Sequence, residues 1–150
     1  MTRKHWMLIL LAVALAALSL YLNKDWFTRD GIQVFHRSRP ELGRRRTSAS
    51  ALVNPILFGL NRKFRLTSLK VVRLSEYQTN QHAYPVWHLI SESNSVPTKE
   101  FNYGASIKGM HPAVGSAAPE ELEPGVPYRL FIEAGDLKAE HDFEPVPRTP

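Results

Sequence analysis

The 150-residue chain contains no cysteine. That excludes disulfides, thiolate metal sites, lipid-modified cysteine and a cysteine nucleophile, while leaving the cellular compartment open. No internal repeat and no heptad pattern is present. The six histidines never fall at HxH or HxxxH spacing, so the local signature of a helical zinc site is missing. A basic folded face is missing too. Residues 51–150 hold ten Lys/Arg against eleven Asp/Glu, whereas residues 1–50 hold nine against three. The net charge of +5 therefore belongs to the N-terminal arm, and no nucleic-acid partner is expected.

What is present reads as globular: 43% hydrophobic and 22% charged residues, with Pro and Gly scattered through the second half. Punctuation of that kind favours many short strands over helices. The one long apolar run is "WMLILLAVALAALSLYL", residues 6–22, in which Ser19 is the only clearly polar residue. At ~1.5 Å per residue it reaches ~25 Å as a helix, the short end for a ~30 Å bilayer core. Trp6, Tyr21 and Trp26 stand where interfacial aromatics belong, and Lys4 and Lys24 flank the run, so Trp6, Met7 and the residues on to Leu22 are read as a transmembrane signal-anchor. A cleaved signal peptide is the rival, with Ala12-Val13-Ala14 or Ala14-Leu15-Ala16 as small-residue cleavage sites. Orientation is contested. Lys24, Arg29, Arg37 and Arg39 outweigh Arg3 and Lys4 in the positive-inside count, whereas the order of short basic tail, apolar run and polar exit resembles an export signal.

Residues 23–52 read as a juxtamembrane arm in which "GIQVFHRSR" is a short candidate strand with Ile32, Val34 and His36 on one face. The run Arg44, Arg45, Arg46 falls in a linker and is a candidate for contact with anionic lipid headgroups, each charge near such a surface contributing roughly 1 kcal/mol. A phosphosite at Thr47 or Ser48 is the sharper alternative. Residues 53–145 read as a β domain. "PILFGL", "FRLTSLKVVRLS", "VWHLIS" and "KEFNYG" are short strands, the second with a phase break expected to mark a bulge. "YRLFIEA" and "LKAEHDF", joined by Gly135-Asp136, form a hairpin with Leu137, Ala139, His141 and Phe143 on one face. Residues 146–150 read as a Pro-rich tail after a basic N-tail at 1–5 and the span at 6–22.

Ahead of the hairpin stands Leu122-x-Pro124-Gly125-x-x-Tyr128. This resembles the tyrosine corner of fibronectin type III and related immunoglobulin-like sandwiches. The resemblance implies that Tyr128, at the start of a strand, folds its hydroxyl back onto nearby backbone while Leu122 anchors the bend. It implies an all-β immunoglobulin-like sandwich, preceded here by one N-terminal transmembrane helix. Such domains are mostly binding or spacer modules, and fold alone does not fix function.

Three groups of residues are candidates for chemistry. His88, His111 and His141 could meet in space as a metal or base site; the plainer reading makes His141 a face-packing strand residue and His88 a neighbour of Trp87. Ser91, Ser93 and Ser95 lack the surroundings of a nucleophile elbow. Glu120, Glu121 and Glu123 lack calcium-loop spacing. No cofactor, catalytic residue or metal ligand is therefore assigned. Tyr77, Tyr84, Trp87, Phe101 and Tyr103 read as core, or as a sticky patch if exposed together. The expectation is a membrane-anchored binding or structural module outside the cytoplasm, with the lipid bilayer and an envelope protein or glycan as partners. An envelope enzyme with a His-containing site, and a cytoplasm-facing adaptor gripping anionic lipid, are the alternatives.

Overall fold

The computed structural model describes residues 3–24, 31–39, 53–92 and 95–148. The chain divides into two units, Met1–Gly31 and Ile32–Pro150. In the first, helix α1 covers Arg3–Leu22. It starts before the apolar run, because Arg3, Lys4 and His5 continue the same backbone. Its 20 residues give ~30 Å of length, of which the apolar run supplies ~25 Å and Arg3, Lys4 and His5 the polar end. None of its residues is buried, and apolar side chains occupy every face, so the helix is long and apolar enough to cross a membrane. Asn23 closes it. Both its backbone N–H and its side-chain amide donate to the Ser19 carbonyl, at 3.0 and 2.9 Å.

The second unit is built from two antiparallel sheets. Strands β1 (Val34–Ser38), β2 (Ile56–Phe64) and β5 (Thr98–Asn102) form one, in the order β1-β2-β5. Strands β3 (Ser68–Arg73), β4 (Trp87–Ile90), β6 (His111–Pro112), β7 (Tyr128–Ala134) and β8 (Leu137–Phe143) form the other, in the order β6-β4-β3-β7-β8. One hydrophobic core joins them. Phe58 and Leu60 come from the first sheet, and Leu69, Val71, Leu130 and Ile132 from the second; all six are fully buried. Alternation puts them there, since successive strand side chains point to opposite faces.

Four expectations need correction. The β domain does not begin at residue 53. Val34–Ser38 pairs with Ile56–Leu60, because Ile32 and Val34 need the apolar face that β2 offers, and Ile32 is buried in the core. Nor does the domain end at 145, for Val53 bridges Pro147 and Asn54 N–H donates to the Val146 carbonyl. The phase break in "FRLTSLKVVRLS" marks a crossing from one sheet to the other between Phe64 and Ser68, with Leu66 fully buried at the corner. The register irregularity lies earlier, between Gly59 and Phe64. After Arg73 the chain turns into a short helix, α2 (Leu74–Thr79), so Leu74 and Ser75, read as the end of the strand, belong to a helix. Its Tyr77 packs on Phe131 at 5.1 Å between ring centroids, so a tertiary contact decides that segment.

Candidate functional site

The bend at residues 122–128 is built by its sequence. Pro124 supplies the fixed φ of a turn's second position, and Gly125 at φ +75° supplies the left-handed third position of a type II turn. Val126 N–H closes it on the Glu123 carbonyl at 3.4 Å. Leu122 and Tyr128 are buried on either side. The Tyr128 hydroxyl accepts the Glu123 backbone N–H at 3.0 Å. Arg73 reaches over from β3 to the Glu123 carboxylate at 2.7 Å. These contacts hold the bend together. Trp6, Met7 and Leu22 stand exposed on α1. Arg44, Arg45 and Arg46 lie outside the described residues; in the chain they fall between β1 and β2, two strands of one sheet, and so inside the domain's sequence instead of ahead of it.

The histidines are redistributed. Among the described residues no three His, Asp or Glu side chains converge as a metal cluster. His141 meets His36, a residue left in the arm by sequence reasoning. Nδ1 of His36 and Nε2 of His141 are 2.6 Å apart, with ring centroids at 4.9 Å. The two rings come from β1 and β8, the edge strands of different sheets. The burial alternation of β1 (Ile32, Val34, His36 inward) was visible in sequence, but its partner 105 residues away was not. Burial, then the facing His36, holds His141 below the ordinary imidazole range, against the opposite pull of Asp142.

His88 serves a different place. Ala113 N–H donates to the His88 carbonyl at 3.1 Å, and Glu120 N–H donates to the Val86 carbonyl at 2.9 Å. Between these two bonds the chain bows away from β4, leaving a hollow of about 210 Å³ lined by Tyr84, Val86, Trp87, His88, Val114 and Glu120 among others. The Tyr103 hydroxyl donates to the Glu120 carbonyl at 2.7 Å and pins the far wall; burial pushes that hydroxyl's pKa well up. His88 is pushed below the ordinary imidazole range by burial and then by Lys70. Tyr84 is the one residue of the expected aromatic core that stands well exposed, at 67%, while Trp87, Phe101 and Tyr103 are buried together and Tyr77 is half-buried. Such walls admit an apolar or aromatic group with a neutral imidazole and a carboxylate at the margin. Among the described lining residues there is no serine, threonine or lysine to act as nucleophile. Ser91 and Ser95 sit apart from it: Ser95 is buried, its carbonyl accepting from Arg65 at 3.3 Å.

Comparisons with protein-family models, with curated proteins and with solved structures find no match for this chain.

Proposed function

We propose that this protein is a single-span, membrane-anchored module that presents an immunoglobulin-like, fibronectin type III-like β-sandwich outside the cytoplasm. Its role is binding or structural, without catalysis, as an accessory part of an envelope assembly whose partner is a protein or glycan. The observation that carries the reading is the 20-residue helix with no buried residue, joined in one chain to a separate compact β unit. A helix apolar on all faces in water is costly, and a bilayer is the solvent that suits it.

Two features support the sandwich. Strands one, two and five share one sheet, and three, seven and eight share the other with β4 beside β3; immunoglobulin-like domains divide their strands in this way. The buried Tyr128 at the start of β7 occupies the place of their corner tyrosine. A hollow walled largely by apolar side chains beside an exposed Tyr84 suits recognition of an apolar or aromatic group on a partner.

The test is a topology assay on the full chain. Reporters active only outside or only inside the cytoplasm are fused after Pro150, because a fusion at residue 50 would divide β1 from β2. Outside activity with an uncleaved chain supports the anchored envelope module. Inside activity overturns it and favours an adaptor that places Arg44, Arg45 and Arg46 on anionic lipid.

A further inference from the structure

His36 and His141 each extend from the edge strand of one sheet and meet ring to ring. A neutral imidazole carries one N–H and one bare nitrogen, so at 2.6 Å a single proton sits between Nδ1 of His36 and Nε2 of His141. One further proton, taken at an outer nitrogen, turns this into a charge-assisted bond and strengthens it. A second puts an N–H on both meeting nitrogens and sets two cations against each other. The surroundings offer little relief. From β2 the residue opposite His36 is Phe58, from β7 the residue opposite His141 is Leu130, and Phe143 lies 6.1 Å from the His36 ring. Asp142 favours a charged His141, but its carboxylate is taken by Arg129, bonded at 2.6 and 3.0 Å. Glu140, exposed on the same outward side of β8, faces Arg129 at 3.6 Å, and Arg37 is exposed beside His36.

We propose that the His36–His141 pair is an acid-sensitive clasp, which fastens β1 to β8 at neutral pH and releases it when both rings are protonated. Burial and the facing ring that hold His141 below the ordinary imidazole range agree with this. The first proton leaves the bond intact and the second is the one this downward shift resists, so the clasp holds down to the unfolded imidazole pKa of about 6.5. It is lost as pH falls from there towards the lower folded value.

The position of the clasp gives it a consequence that rests on the membrane-anchored reading. β1 is the first strand after α1 in the chain. Freed from the sheets, it adds residues 34–52 to the tether, up to the point where Val53 bridges Pro147, a further reach of up to ~65 Å at ~3.4 Å per residue. The clasp itself does not depend on which side of a membrane the domain occupies, so a failed topology assay leaves its test intact.

The experiment is hydrogen exchange on the full-length protein in detergent micelles at pH 7.5, 6.5 and 5.5, with protection corrected for the intrinsic pH dependence of exchange. Protection of the β1 amides is expected to hold from pH 7.5 to 6.5 and to fall about tenfold or more by pH 5.5, while β7 amides hold. In His141→Gln the fall should disappear. Unchanged β1 protection in the wild type, or an equal fall in the variant, overturns the proposal. Should the variant misfold, an NMR titration of the wild-type imidazoles decides: one ring protonating well below the other supports the clasp, and two independent titrations at ordinary midpoints refute it.

Discussion

Tyr128 folds its hydroxyl onto the backbone N–H of Glu123 at 3.0 Å, with its ring fully buried and stacked on Phe143 at 5.8 Å. Without that part-buried bond the Glu123 N–H would lose its partner, which sets the size of the effect. Tyr128→Phe should lower stability by about 1–1.5 kcal/mol, read as a lower urea midpoint at unchanged slope. An unmoved midpoint would show that the corner's hydroxyl contributes nothing. Leu122→Ala should cost more, about 2–5 kcal/mol, because it leaves a cavity behind a fully packed side chain.

Phe35 and Gly59 face each other across β1 and β2, and the ring covers the glycine. A Cβ on Gly59 would overlap the Phe35 ring, even though Phe35 is 43% exposed. Gly59→Ala should therefore cost about 1–3 kcal/mol by overpacking. In a Phe35→Ala background the same change should be nearly neutral or favourable, since Ala disorders less than Gly in the unfolded chain. Equal costs in both backgrounds would mean that the ring is not the obstacle.

How much of this was legible depended on the range of the interaction. The hairpin of β7 and β8 is written in a two-residue alternation joined by Gly135-Asp136, and the corner is written within seven residues, so both could be read locally. β1 was seen as a strand, yet its sheet partner lies beyond a linker rich in Arg and Ser, and the composition there concealed that the chain returns to the same sheet. The crossing at Leu66 looked like a bulge because either one breaks the alternation. α2 has too few residues for a helical period to register, and what holds it is Tyr77 on Phe131 and the Arg129 guanidinium over Tyr77 at 5.5 Å. The His36–His141 contact joins residues with no local relation at all.

The place of β1 predicts how the chain tolerates truncation. A fragment of residues 32–150 keeps the whole β unit and should unfold cooperatively in urea without detergent. One starting at residue 53 loses the Val34–Ser38 ladder and Ile32. Burial of Ile32 alone contributes about 1.5–3 kcal/mol, and removal of β1 bares an edge of β2 that invites association. The shorter fragment should be clearly less stable and prone to aggregate on size exclusion. Equal midpoints for the two fragments would show that β1 is dispensable.

The outer face of the larger sheet predicts a second, more acidic effect. Arg129 binds both oxygens of Asp142 and so holds that carboxyl below its ordinary range, against the opposing effect of burial. For an acid whose folded pKa is depressed, the stabilisation is present above the unfolded value of about 4 and is lost as pH falls from there through the lower folded value. Both side chains are substantially wet, at 25% and 48% exposure, so the pair contributes only about 0.2–1 kcal/mol. Asp142→Asn should then lower the urea midpoint slightly at pH 7 and flatten the decline below pH 4. It should leave the histidine-dependent loss between pH 7 and 5 in place. The two processes thus separate by pH, and a variant whose profile runs parallel to wild type below pH 4 would show that the Arg129 bond gives Asp142 no net stabilisation.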